Sequence, residues 1–253
     1  MFCSVSRTNS QFKTKQTEEI MSNFLDFSKI NEINLRYMLP KTDRFVTTRN
    51  IISLETNKGL SIKTPLTKTF GIEDGLRNSI HDGQFKVKLV FSDSDNARVE
   101  IFKDNMKRLD NRIIEDAISG KWLGNDMSDN MIASRYSPIF DCKSKYAFIK
   151  ANVPNSNGSW DSLTIMDTNE IVIFPNSQDL LPSDLVHSKS RIICKLNITQ
   201  VWIKQDKSMW GVSIKLVQCV VFNPPPQDID IKSEPDPFRI SAEDLADIDE
   251  FNV

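Results

Sequence analysis

The fold is decided by residues 191–222, which read RIICKLNITQVWIKQDKSMWGVSIKLVQCVVF. Apolar and polar residues alternate through both halves of this stretch, and an alternation with a period of two predicts β-strands. The polar run Gln205-Asp206-Lys207-Ser208 separates the halves, so we predict strands at 191–204 and 209–222 that form one long antiparallel hairpin. The predicted apolar face comprises Ile192, Cys194, Leu196, Ile198 and Trp202 on the first strand and Trp210, Val212, Ile214, Leu216, Val220 and Phe222 on the second.

Shorter patterns predict further strands and one long helix. Residues 84–92 predict a strand, because apolar side chains alternate there with Lys86 and Lys88. Between Ile101 and Ile118 apolar residues recur every three or four positions, which predicts a helix that ends at Gly120. Weaker patterns indicate strands at 44–55, 60–66, 145–151, 160–166 and 171–174, and a short helix within 180–187.

Together these elements predict a mainly β (α+β) fold with one central helix. The outline is that of an OB-fold-like antiparallel Greek-key barrel with its helix between the third and fourth strands; a β-sandwich and a jelly roll are the alternatives. The triplet Pro224-Pro225-Pro226 ends the last strand, because proline cannot donate a hydrogen bond to a sheet. We therefore divide the chain into an N-terminal extension (1–40), an OB-fold-like nucleic-acid-binding domain (41–222) and a flexible acidic tail (223–253).

The net charge of −2 over 253 residues conceals an uneven distribution. Residues 224–253 carry nine acids against two bases, a local charge of −7, which leaves the first 223 residues at +5. An acidic segment of this kind buries too little apolar surface to fold alone, so we predict that the tail is disordered. No apolar run approaches the ~20 residues needed to span a bilayer, so no membrane partner is predicted.

Residue types that carry catalysis or bind metals are sparse. The only histidines are His81 and His187, and the four cysteines form no CxxC pair, so a Cys/His zinc site is not predicted. No phosphate-binding, dinucleotide-binding or serine-hydrolase motif occurs. Acidic pairs such as Asp126/Asp129 lie in contexts that favour turns over a metal site. We therefore predict a non-enzymatic protein without a cofactor, with reduced thiols typical of a cytosolic or nuclear compartment.

Aromatic and basic side chains on strands are the chemistry that the sequence does offer. Single-stranded nucleic acid is bound by cations that neutralise phosphates and by flat rings on which bases stack. If Ala147, Ile149 and Ala151 face the core, the strand at 145–151 places rings and a cation in a row on its other face; the opposite phase would bury the rings. The candidate nucleic-acid-binding residues are Lys86, Lys88, Tyr146, Phe148, Lys150, Lys195, Lys204 and Lys215, with Trp122 and Trp160 as stacking residues on loops.

The remaining aromatic and acidic residues suggest other roles. Trp202 and Trp210 fall on apolar faces, so we predict that both are in the core. The end of the tail interleaves acids with apolar residues, and this pattern suits a protein partner, a solubilising charge run being the alternative. The candidate partner-binding residues are Asp247, Asp249, Glu250 and Phe251.

The motif Trp210-Gly211-Val212-Ser213, the hairpin around it (198–218) and the acidic tail resemble the OB-fold single-stranded DNA-binding replication proteins of large DNA viruses, similar in plan to the podovirus phage counterpart. The resemblance covers roughly the last 110 residues clearly and the rest in outline. It implies a protein that coats single-stranded DNA in replication, recombination or repair, that self-associates, and whose tail contacts replication proteins. Its expected location is intracellular, at a viral replication site in the host cytoplasm or nucleus.

Three alternatives stay open at this point. Rings and lysines discriminate poorly against a 2′-hydroxyl, so RNA is an alternative ligand. A viral structural or interaction β-protein would have no contiguous basic surface, and a metal-dependent nuclease would bring several carboxylates into one pocket. The observation that separates these functions best is whether Lys86, Lys88, Lys150 and Lys215 lie along one channel.

Overall fold

The secondary structure is mainly β, with a large mixed sheet and three helices in the part of the chain that the structure describes. The computed structural model describes residues 34–54, 59–73, 85–91, 97–141, 147–155, 160, 162–176 and 180–222. The strands are β1 (Leu35–Tyr37), β2 (Lys41–Thr42), β3 (Val46–Ser53), β4 (Leu60–Lys63), β5 (Thr67–Glu73), β6 (Phe85–Phe91), β7 (Tyr136–Ser137), β8 (Ala147–Val153), β9 (Thr164–Met166), β10 (Val172–Phe174), β11 (Arg191–Lys204) and β12 (Trp210–Phe222). The helices are α1 (Ala97–Ser119), α2 (Asp129–Ser134) and α3 (Pro182–Leu185).

The longest ladder is the predicted hairpin. β11 and β12 pair antiparallel from Arg191 opposite Phe222 to Ile203 opposite Trp210. Two register shifts interrupt the ladder, the second of them between Ile198 and Gln200. Such an irregularity inverts the side-chain alternation beyond it, so Val201 and Ile203 are buried while Trp202 is only partly buried on the other face. The prediction that Trp202 belongs to the core is therefore wrong, whereas Trp210 is fully buried as predicted.

Five strands pair in a closed ring. β5, β6 and β8 follow one another in antiparallel pairs, β8 then pairs parallel with β12, and β12 and β11 pair antiparallel before β11 returns to β5. Because β8 and β12 run parallel, the ring is mixed, and the prediction of a wholly antiparallel barrel is wrong. The helix α1 lies between β6 and β8, the second and third strands of this ring, and not between the third and fourth.

β5 belongs to this ring although no strand was predicted for Thr67–Glu73. Its buried positions include Thr67 and Thr69, whose hydroxyls donate to the Val90 and Lys88 carbonyls of β6 at 2.5 and 2.9 Å. At Gly71 the backbone has a φ of +91°, and an added Cβ would lie 3.0–3.1 Å from backbone atoms of residues 186–188. Glycine fits here because it tolerates that conformation and lets the two backbones approach. Small polar residues and a glycine therefore fill the interior, which removes the apolar alternation that identifies a strand.

The core lies between the inner faces of the strands and one stripe of α1. The buried residues of that stripe recur every three or four positions, as the sequence predicted, and Phe102 stacks on Phe91 of β6 with ring centroids 5.3 Å apart. The buried apolar residues of the stripe are Val99, Phe102, Met106, Leu109, Ile113 and Ala117. None of the described helices has the length and apolar character of a membrane span.

The folded sheet begins earlier than the predicted boundary at residue 41. β1 pairs with β3 through Leu35 opposite Ser53 and Tyr37 opposite Ile51. The Tyr37 hydroxyl donates to Asp116 Oδ2 of α1 at 2.8 Å, and burial, together with this carboxylate, raises the pKa of the phenol. Residues 35–37 are therefore part of the domain rather than of an N-terminal extension.

Candidate nucleic-acid interface

Lys86 and Lys88 lie on the outer face of β6. Their neighbours Phe85, Val87 and Leu89 are buried in the core, so the two lysines point away from it. Lys88 Nζ donates to Glu73 Oε1 at 2.5 Å, and Lys86 lies opposite Glu73 in the β5–β6 register. One carboxylate therefore offsets part of the positive charge at the β5 side of this pair.

The strand β8 has the side-chain phase that was predicted as one of two alternatives. Ile149, Ala151 and Val153 are buried, Phe148 is partly buried and Lys150 is exposed on the opposite face. Lys150 Nζ lies 5.1 Å from the centroid of the Phe148 ring, within the range of a cation–π contact. A ring and a cation thus share the outer face, while Tyr146 lies outside the described residues.

The strand register brings these lysines together with Lys215. Lys88 lies directly opposite Lys150, and Asn152 lies opposite both Lys86 on β6 and Lys215 on β12. Neighbouring strands are about 4.8 Å apart, so the four cations occupy three consecutive strands on the outside of the ring. We call this set, with its aromatic residue, the lysine surface: Lys86, Lys88, Phe148, Lys150 and Lys215.

Phe70 of β5 is an aromatic residue beside this surface that the sequence analysis missed. A register shift in the β5–β6 ladder between Thr69 and Ile72 places Phe70 and Gly71 opposite Lys88. The Phe70 side chain is 50% exposed. In the sequence Phe70 is an isolated phenylalanine between Thr69 and Gly71. Its outward direction can be recognised only when Thr67 and Thr69 are known to point inward.

The other predicted lysines lie apart from one another. Lys195 of β11 pairs with Lys63 of β4, one strand beyond Lys215. Lys204 is exposed at the opposite end of β11, opposite Val46 of β3. Lys204 is nine positions along the strand from Lys195, a distance of about 30 Å. Lys195 therefore extends the lysine surface, whereas Lys204 belongs to the other end of the hairpin.

The loop tryptophans Trp122 and Trp160 are packing residues, which corrects their predicted role as stacking residues on loops. Trp122 meets Tyr37 edge-on at 4.5 Å, and the Arg49 guanidinium lies 5.5 Å from a Trp122 ring centroid. Trp160 meets Phe85 edge-on at 4.7 Å, and both tryptophans are partly buried against the core. Both indoles are therefore contacted by side chains of the domain itself.

A buried carboxylate, that of Asp110, ties α1 to β7 and to the residues that follow β7. The Tyr136 hydroxyl donates to Asp110 Oδ1 at 2.5 Å, and the Ile139 N–H donates to both carboxylate oxygens at 3.2–3.3 Å. Asp110 is 7% exposed, and burial raises its pKa to about 6 in spite of these hydrogen bonds. The arrangement holds Tyr136 in place beside Trp210.

This raised pKa predicts a stability that decreases with rising pH. The folded state binds the Asp110 proton more tightly than the unfolded state does, so the contribution is complete below pH 4 and is lost as pH rises through 6. When the pH is raised from 5 to 7, we expect the free energy of unfolding of wild type to fall by about 1 kcal/mol more than that of Asp110→Asn. Urea titrations of both proteins at these two pH values measure the difference, and parallel pH profiles would contradict the assignment.

Acidic and thiol groups elsewhere have structural partners. Asp167 Oδ1 accepts the N–H groups of Asn169 and Ile171 at 2.8 and 2.9 Å, which is an Asx-turn. Within the described ranges, no three His, Cys, Asp or Glu side chains cluster as metal ligands would. Cys194 and Cys219 lie opposite each other as buried free thiols, and burial raises the pKa of Cys194. The candidate partner-binding residues Asp247, Asp249, Glu250 and Phe251 lie outside the described residues.

No protein-family model matches the sequence, and no curated protein sequence is significantly similar to it.

Proposed function

We propose that this protein binds single-stranded DNA through the lysine surface and catalyses no reaction. The observation that carries the proposal is the register of three adjacent strands, which aligns Lys88 with Lys150 and places Lys86 and Lys215 on either side of Asn152. Four cations and an aromatic ring then share one outer face. A scattered arrangement of the same lysines would have favoured a β-protein without a nucleic-acid role.

The strand order of the ring supports an OB-fold as the architecture of this site. In that fold five strands form a Greek-key barrel, and oligonucleotides bind across the second and third strands and the loops beside them. Here the second and third strands of the ring are β6 and β8, which carry Lys86, Lys88, Phe148 and Lys150. The position of α1 after the second strand of the ring departs from the OB-fold plan. Because α1 packs against Phe91 on the inner side, the helix does not cover the outer face of β6 and β8.

The chemistry of the surface fits a ligand that combines negative charge with flat rings. Each lysine neutralises a phosphate and releases a counterion, which makes binding dependent on salt. The exposed ring of Phe70 and the partly buried ring of Phe148 offer stacking faces, each worth about 1–3 kcal/mol per base and tolerant of sequence. Double-stranded DNA hides its base faces inside the helix, so a surface of this kind favours a single strand.

The wider role that we propose extends the resemblance of residues 198–218. The protein would coat single strands during replication, recombination or repair at an intracellular viral replication site. Its acidic tail, through Asp247, Asp249, Glu250 and Phe251, would contact replication proteins. Self-association along the strand belongs to the same proposal, because proteins that coat single strands commonly bind cooperatively.

A titration of the full chain with fluorescein-labelled oligothymidine tests the proposal. We expect binding at low salt, and a logarithmic affinity that falls linearly with the logarithm of salt concentration at about −0.7 for each phosphate contact. Three to four contacts by the lysine surface, in which Lys88 also has Glu73 as a partner, would give a slope of about −2 to −3. A slope near zero, or equal affinity for a duplex of the same length, would contradict a single-strand site. An oligouridine competitor of equal length decides between DNA and RNA as the preferred ligand.

A further inference from the structure

Trp202 lies on the outside of the hairpin, beyond the bulge that inverts the alternation of β11. Its flanking residues Val201 and Ile203 are buried in the core, and Trp202 itself is partly buried on the opposite face. It lies opposite Gly211 of β12, where an added Cβ would be 3.1 Å from the Trp202 ring. The indole therefore lies close to Gly211, where a side chain would crowd it.

The surroundings of Trp202 combine cations with flexible apolar surface. Thr48 lies beside it on β3, and Lys41 of β2 lies beside Thr48. Lys204, two residues along β11, is exposed, and the neighbouring Met209 is 42% exposed. We call this set the tryptophan patch: Trp202, Lys41, Thr48, Lys204 and Met209.

Two acids flank the tryptophan patch, and both have backbone partners. Asp43 Oδ1 accepts the N–H groups of Phe45 and Val46 at 2.7 and 2.8 Å. Asp206 Oδ1 accepts the backbone N–H of Ser208 at 3.0 Å and its hydroxyl at 2.8 Å. These hydrogen bonds hold the carboxylates within the two turns, at the margin of the patch.

A continuous polar face links the tryptophan patch to the lysine surface. Gln200, two residues before Trp202, lies opposite Ser213 of β12, and Ser213 is two residues before Lys215. Gln200 also lies opposite Asn50 of β3 on its other side. The connecting residues are polar and not fully buried, so a chain of phosphates could cross them without passing over apolar surface.

We propose that Trp202 is a second base-stacking residue on the path of the same single strand, which crosses from the lysine surface over β12 and β11 to the tryptophan patch. This inference rests on the proposed function and extends its footprint. Phe148 on β8 and Trp202 on β11 are two strands apart in the ring order. Gly211, which lies opposite Trp202, is four residues along β12 from Lys215 of the lysine surface, a separation of about 13 Å. A short strand would be held by the lysine surface alone, and a longer one would reach both.

Oligothymidines at the two ends of the size range for such folds, about 4 and 16 nucleotides, test the inference with the full chain. Trp202→Leu covers Gly211 with an apolar side chain but removes the ring. We expect it to weaken binding of the long strand at least fivefold and to leave binding of the short strand unchanged. Trp202→Phe, which retains a ring, should recover most of the loss. The matched control is Ile101→Ala, on an exposed position of α1, which should change neither affinity.

The outcomes separate the inference from the proposed function. If wild type binds neither strand at low salt, the proposed function fails. If wild type binds both and Trp202→Leu leaves the long strand unaffected, or weakens both lengths equally together with a lower melting temperature, the second stacking residue is refuted while the lysine surface stands. Quenching of tryptophan emission gives an independent measure, because the long strand should quench wild type more strongly than Trp202→Leu.

Discussion

Replacing Lys150 and Lys215 together by glutamate is expected to abolish measurable binding of oligothymidine at physiological salt. Both side chains are exposed on adjacent strands of the lysine surface, and the substitution reverses two charges within it. Two lost phosphate contacts should reduce the slope of log affinity against log salt by about 1.4, and the added repulsion should lower the low-salt affinity at least a hundredfold. A salt titration by fluorescence anisotropy measures both quantities.

The matched control for this variant is Lys107→Glu with Arg108→Glu. These residues are exposed on α1, away from the outer faces of β8 and β12, and their replacement changes the net charge by the same amount. If the control weakens binding as strongly as the test variant, binding depends on total charge rather than on the lysine surface. Melting temperatures of both variants close to that of wild type would show that the fold is retained in both.

The sequence predicted those strands whose interior is apolar. The bounds of the hairpin, of β6 and of α1 follow from alternation or helical periodicity, since each of these elements buries a row of large apolar side chains. β5 escaped detection because threonine hydroxyls satisfied by carbonyls of β6 replace that row. Trp202 was assigned to the wrong face because a bulge shifts the side-chain alternation of β11 by one residue. No local sequence pattern predicts the position of that bulge.

The candidate site depends on neighbour relations that no single segment contains. The outward direction of Lys86 and Lys88 could be predicted from β6 alone, but their proximity to Lys215 requires the parallel pairing of β8 with β12 across more than 60 residues of chain. For the loop tryptophans the local sequence was misleading. Flanking glycines and polar residues suggested that Trp122 and Trp160 are exposed. Both indoles instead pack, partly buried, against the hydrophobic core.

We expect Trp210→Ala to lower the free energy of unfolding more than any of the other substitutions does. Trp210 is fully buried, its indole N–H donates to the Ile132 carbonyl of α2 at 2.8 Å, and its ring lies 4.6 Å from that of Tyr136. The substitution leaves a large cavity and an unpaired buried carbonyl. We expect the free energy of unfolding to fall by about 3–5 kcal/mol, as measured by urea denaturation.

The graded variant Trp210→Phe distinguishes the two causes of this loss. Phenylalanine fills most of the space but cannot donate to Ile132, so its effect should be about 1–2 kcal/mol if packing dominates. The neighbouring Met209→Ala, at a position 42% exposed, should stay within about 0.5 kcal/mol of wild type. Because Trp210 joins α2 and β7 to the start of β12, a loss no larger than that of Met209→Ala would mean that this junction does not support the fold. Trp210 directly precedes Gly211, which lies opposite Trp202, so loss of the Trp210 packing should also weaken binding at the tryptophan patch.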